Sequence, residues 1–153
     1  MSEKKRNVRT DINRLLELAE VVRELEPESF DMNSWFGWKN ECSLDSDGRL
    51  KRLPKKIVHC KTVACIAGWA TTVHPHLQIE TVLDGSPVIR FREGATSMIN
   101  EYAFSEAFGV TLDEACELTY FAAPHQKPEA AAKAIEKLAA DLAERNGYEI
   151  VDA

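Results

Sequence analysis

The sequence predicts a mainly α, α+β fold: a single compact domain of about five helices around a buried central helix, with one small β-hairpin. Three observations lead there. The stretch Val63 to Ala70 is apolar or small at every position, which is the pattern of a helix buried on all sides. Apolar residues recur at three-and-four spacing near the start of the chain, the mark of one helical face. Two short β-prone runs flank Asp84-Gly85-Ser86, a hairpin pattern.

The first helix is read from about Asn7 to Leu25, with Val8, Ile12, Leu15, Leu16, Leu18, Ala19, Val22 and Leu25 on its apolar face. Thr10 or Asp11 is its expected cap and Glu26-Pro27 its end. Residues 30–38 are dense in aromatics and interrupted by Gly37; they read as an ordered segment packing Phe30, Met32 and Trp35 onto the central helix. Leu44-Asp45-Ser46-Asp47-Gly48 carries turn chemistry, and an exposed basic loop is expected over about 43–58.

The central helix is expected to start at Thr62 and stop before Pro75, about a dozen residues and far short of the ~20 that cross a bilayer. Ala64 and Gly68 form its smooth stripe, and Ile66, Trp69 and Val73 its bulky one. The hairpin pairs Ile79–Leu83 with Pro87–Phe91. Ala95 to Phe108 is read as helix, offering Met98, Ile99, Tyr102, Ala103 and Phe108 to the core and stopping at Gly109. Thr111-Leu112-Asp113-Glu114 is a capping box that opens a helix to about Phe121. Pro128 sits at the first turn of an alanine-rich last helix, Glu129 to Arg145, ended by Asn146-Gly147.

Phe30-Asp31-Met32 with Trp35, Cys60-Lys61-Thr62 followed by Ala64 to Ala70, Phe108-Gly109-Val110-Thr111 with Ala115, and the Pro128 helix together resemble a group of short bacterial and prophage proteins. The resemblance covers about two thirds of the chain and implies fold and bacterial or phage origin, with no activity to carry over. One departure is Lys61, where the group usually has glycine, which speaks against a left-handed backbone or a close ligand approach there.

Composition bounds the function. At 153 residues, 44% hydrophobic and 29% charged, the chain suits one globular domain, 1–153, with a flexible N-terminus over about 1–7. Its charged start followed by an amphipathic helix is unlike a signal peptide, so a cytoplasmic location and no membrane partner are expected. Four cysteines, Cys42, Cys60, Cys65 and Cys116, are too few and too irregularly spaced for a disulfide scaffold. The net charge of −6 is unevenly spread: Arg49 to Lys61 holds six Lys or Arg and no acid, whereas Glu93 to Asp152 holds twelve acids and four bases. The second of these stretches repels phosphate, and the first is where an anionic partner would bind.

Three constellations carry possible chemistry. Cys60 precedes the central helix, where the helix dipole and Lys61 would lower a thiol pKa; as a nucleophile it would need a base from His74, His76 or His125. Cys42, His59, Cys60 and Cys65, with His74 and His76, are enough soft ligands for zinc, but they include no second paired knuckle. No metal or cofactor is therefore expected, and the histidines read as solvated loop side chains. Phe108-Gly109-Val110-Thr111 between two helices resembles a helix-turn-helix, yet the recognition helix would carry Asp113, Glu114 and Glu117 and no base, which is adverse beside phosphates.

The leading expectation is a non-catalytic interaction protein that binds an acidic protein surface or a nucleic-acid backbone through Arg49, Lys51, Arg52, Lys55 and Lys56. The alternatives are a small enzyme using Cys60 and a DNA-binding regulator.

Overall fold

The computed structural model describes residues 7–25, 66–81, 87–119 and 127–148. Within them run five helices and three strands in the order α1 (Val8–Arg23), α2 (Ile66–Ala70), β1 (Leu77–Thr81), β2 (Pro87–Glu93), β3 (Thr96–Ile99), α3 (Asn100–Phe108), α4 (Leu112–Thr119) and α5 (Pro128–Arg145). The mainly helical α+β architecture is the one the sequence predicts. The expected turn at Asp84-Gly85-Ser86 and the aromatic segment 30–38 lie outside the described residues.

The first and last helices form the most extensive helix pair of the fold. Ile12, Leu15, Leu18, Ala19 and Val22 line one face of α1, and Ala131, Ile135, Leu138, Ala139, Leu142 and Ala143 are buried on α5. The alanines leave little side chain between the two backbones, so the larger residues of α1 fill the seam. Arg23, at the end of α1, binds Glu129 and Glu136 near the start of α5 with N–O distances of 3.0 and 2.6 Å. At the opposite end the Arg9 guanidinium lies 5.6 Å from the centre of the Tyr148 ring. These two contacts fix the pair as antiparallel. The N-cap of α1 is Asn7, whose Oδ1 accepts from the Thr10 N–H at 3.1 Å, in place of the expected Thr10 or Asp11. Asp11 is instead buried in the first turn, where the helix dipole favours a carboxylate.

All five residues of α2 are buried, and the helix touches α1, α3 and α4. Its central position follows directly from the absence of a polar face. It ends at Ala70, well before Pro75, because a turn from Thr71 to Val73 takes over. There the Thr71 and Thr72 hydroxyls donate to the Gly68 and Trp69 carbonyls at 2.8 and 2.7 Å, reinforcing the bonds these carbonyls accept from the Thr71 and Thr72 N–H groups.

The sheet is antiparallel in the order β1-β2-β3. Leu77 faces Phe91 and Ile79 faces Ile89 across β1 and β2, and all four are buried against the helices. On the other face the Glu80 carboxylate accepts from Arg90 Nε at 2.8 Å and from Arg92 Nε and Nη2 at 3.0 and 3.1 Å.

The third strand corrects the sequence reading, which made 95–108 continuous helix. Gly94, at φ 57°, opens a two-residue turn joining the Glu93–Thr96 pair, the arrangement of a II′ hairpin. Helix begins only at Asn100, a left-handed residue with φ 55°, a conformation that asparagine tolerates better than most. Its Oδ1 accepts from the Ile89 N–H at 3.3 Å, replacing a ladder carbonyl where β3 turns away from β2. In consequence Met98, Ile99 and Tyr102, assigned above to the core, are 36%, 38% and 58% exposed, and Phe104 and Ala107 take their place beside Ala103 and Phe108.

The joint between α3 and α4 follows the sequence closely. Gly109 is left-handed at φ 69° and its N–H donates to Ser105 O. The capping box closes in both directions: Glu114 N–H donates to Thr111 Oγ1 at 3.1 Å and Thr111 N–H donates to Glu114 Oε1 at 2.9 Å.

Two outcomes are expected. Trp69→Ala removes a nearly fully buried indole from the central helix and should cost ~3–5 kcal/mol, a large part of the ~5–15 kcal/mol typical of a domain; an unchanged melting curve would place that helix elsewhere. Acid sensitivity should follow from Glu114, whose carboxyl is held below its ordinary value chiefly by the hydrogen bond from Arg145. In the unfolded chain that carboxyl returns to ~4.3, so its contribution is present above that pH and is lost as pH falls through the lower folded value. Urea unfolding of wild type and Arg145→Gln should therefore differ at pH 7, by the ~0.2–1 kcal/mol of a partly exposed pair, and converge toward pH 3. A gap that stays constant with pH would remove Glu114 from the acid response.

Candidate functional site

The residues singled out from the sequence for chemistry or binding, Cys42, Arg49, Lys51, Arg52, Lys55, Lys56, His59, Cys60 and Cys65, lie outside the described residues, as does His125. Among the described residues, no group of three or more His, Cys, Asp or Glu is placed to hold a metal ion.

Of the histidines and cysteines named from the sequence, His74, His76 and Cys116 are placed, and His74 is a correction. His74, read as a solvated loop side chain, is 3% exposed. The turn after α2 carries its ring into the core, edge-on to Phe91 of β2 and Phe108 of α3 at 5.7 and 5.8 Å between centroids. Arg14 Nη1 of α1 lies 2.9 Å from Nε2, and the His76 N–H lies 3.1 Å from Nδ1. Both neighbours can only donate, and a neutral imidazole has one acceptor nitrogen, so the two compete for it. The ring joins α1, the post-α2 turn, the sheet and α3 at one point. These contacts tie four elements together through one buried ring. His76 is more open, with Nε2 at 4.0 Å from Glu93 Oε2.

Two surface features are better suited to binding. The first is an open depression lined by Arg90, Ser97, Met98, Ile99 and Tyr102, where the three apolar side chains released by the β3 correction gather at the edge of the described sheet. The second is a groove of about 260 Å³ between α4 and α5. Glu114, Glu117 and Leu118 line it from α4, and Ala134, Lys137, Leu138 and Asp141 line it from α5. Both sets follow helical spacing, so each helix contributes a single stripe. Leu118, Ala134 and Leu138 make the floor. The rim is acidic but unequally engaged: Glu114 is gripped by Arg145 at 2.8 and 3.0 Å, Asp141 pairs with Lys137 at 3.2 Å, and Glu117 has no hydrogen bond or ion pair among the described residues. The sequence reading gave Glu114 a capping role and counted Glu114 and Glu117 against DNA binding, without joining them to α5 in a groove. The signal available was Glu117-Leu118 and Leu138 with Asp141, acids and apolar residues adjoining on one stripe of each helix.

The same acids bear on the remaining thiol. Cys116, exposed on α4, has its pKa raised by partial burial and then by the charges of Glu101 and Asp113. The exposed side of α4 presents Leu112, Asp113, Cys116 and Glu117, so the helix that would enter a DNA groove in a helix-turn-helix offers no base.

Comparison with protein-family models, with characterised proteins and with solved structures gives no match for this chain. Among the described residues no helix is long and apolar enough to cross a membrane.

Site-resolved alkylation checks the electrostatics of α4. Cys116 should react with iodoacetamide at pH 8 more slowly than a free cysteine peptide, since the thiolate is the reacting form. The double variant Glu101→Gln, Asp113→Asn should speed it. A Cys116 as fast as the peptide would contradict the negative field around this helix.

Proposed function

We propose that the protein is a non-catalytic interaction protein, of bacterial or phage origin, that acts in the cytoplasm by binding another macromolecule, and that its basic run engages an anionic partner. The observation that carries the reading is the separation of charge. Six cations fall within Arg49 to Lys61 without one acid, while the surface of α4 and α5 is populated by Asp113, Glu114, Glu117, Glu129, Glu136, Asp141 and Glu144. An acidic protein surface or a nucleic-acid backbone is repelled by the helical face and attracted by the run, which favours binding through the run. Exposed apolar side chains at Met98, Ile99 and Tyr102 fit the same class of activity, since neighbouring apolar groups on a surface favour contact with another molecule.

The test is affinity capture from the native host with wild type and with a variant in which Arg49, Lys51, Arg52, Lys55 and Lys56 are all replaced by Glu. The variant should lose the partner and keep the melting temperature within a few degrees. Added salt should weaken the wild-type interaction, because exposed charges are screened over ~8–10 Å near physiological strength. Identical partner lists from the two baits would sink the assignment.

A further inference from the structure

We propose that the groove between α4 and α5 is a docking site for a cationic, amphipathic segment of a partner protein, which lays the aliphatic stem of an arginine or lysine on the floor and brings its charge to Glu117. The surface is of opposite sign to the basic run, and the two assignments stand or fall separately.

Shape sets the class of ligand. At about 260 Å³ the groove is below the ~300–1,000 Å³ of sites for drug-sized molecules and cofactors. Its length runs between two helices, so it accommodates side chains projecting from an elongated segment. The floor of Leu118, Ala134 and Leu138 is apolar, and long cationic side chains bury their methylene stems on such surfaces while keeping the head group at a polar rim.

Charge sets the sign. Lys137 and Arg145 are the cations at the groove, and both are occupied: Lys137 by Asp141 and Arg145 by Glu114. Glu117 is left over, with Asp113 exposed one turn before it on α4 and Glu144 exposed on α5. The charges of Glu101 and Asp113, which add to burial in raising the Cys116 pKa, are of the same sign. An arriving cation gains Glu117 directly. It also gains Asp141 at small cost, because the Lys137–Asp141 pair joins side chains 79% and 47% exposed, and such pairs contribute ~0–1 kcal/mol. Glu114 is different: its two-point contact with Arg145 and its capping bond to Thr111 hold it as a fixed wall. The groove therefore has one rigid side and one that can exchange partners.

The experiment follows amide shifts of the full ¹⁵N-labelled chain during titration with an amphipathic peptide of leucine, alanine and arginine at helical spacing. The control peptide carries glutamate in place of arginine. Shifts should centre on Glu117, Leu118, Ala134, Leu138 and Asp141 for the arginine peptide and be missing for the control. Glu117→Lys should weaken binding about tenfold or more, equivalent to ~1.4 kcal/mol. Ala134→Phe, which fills the floor without altering charge, should weaken it as well. Glu20→Lys, an exposed acid on α1, should leave it unchanged. Glu117 is exposed, so its variant folds and decides the matter even if Ala134→Phe does not. No binding, equal binding of both peptides, shifts scattered over carboxylates outside the groove, or equal loss in Glu117→Lys and Glu20→Lys would each overturn the proposal.

Discussion

The antiparallel pairing of α1 with α5 is the constraint on which the described structure depends. It brings together residues more than one hundred positions apart, as in the Arg23–Glu129 and Arg23–Glu136 contacts, so it has a high cost in chain entropy and must be supported by extensive burial. The alanine face of α5 supplies close approach, and the branched residues of α1 supply volume. With that pair in place, α1 also contacts α2 and α3, and α5 contacts α4. The described part of α2, Ile66–Ala70, is completely buried, and packing among these neighbours holds it.

The elements legible in the sequence are those whose local chemistry agrees with their tertiary setting. The Thr111–Glu114 capping box, left-handed Gly109 and Pro128 at the start of α5 are local devices, and each sits where its residue type requires. The β3 strand was misread for a physical reason. Met98, Ile99, Tyr102 and Ala103 can be drawn as one helical face, and that pattern masked the Gly94-Ala95 turn and the β-prone Thr96 to Ile99. What overrode the helical reading is the hairpin with the preceding strand: pairing of Phe91 with Met98 and Arg92 with Ser97, together with the Asn100 side chain that ends the ladder. His74 failed for a related reason. Its neighbours His-Pro-His look like a loop, and only the packing of Phe91 and Phe108 around it makes the position a core one.

The buried histidine also shows how polar groups specify this core. Apolar packing among Phe104, Phe108, Ile89 and Leu77 is tolerant of small shifts, whereas a ring with one acceptor and two donors aimed at it is not. The Arg14 guanidinium and the His76 amide come from different elements, and the distance of each to the ring fixes where α1 and the start of β1 lie relative to α3. The joint therefore contributes geometry more than energy, and its proximity to the aromatic edges keeps water from relaxing the competition.

Charge on this protein is best understood patch by patch. A net charge of −6 suggests general repulsion between copies and from any anion, yet at the distances where only that sum would matter, beyond ~8 Å at physiological ionic strength, it is largely screened. A partner within that range meets the local sign. On α4 and α5 the local sign is negative because Glu117, Asp113 and Glu144 exceed the cations available to pair with them, while along Arg49 to Lys61 it is positive because no acid interrupts the run. An anionic and a cationic ligand would thus be drawn to different segments of the same chain. The apolar floor beside Glu117 adds a second criterion that screening does not weaken. Salt should therefore affect recognition at the basic run more steeply than recognition in the groove, since only the groove combines charge with buried stem contacts.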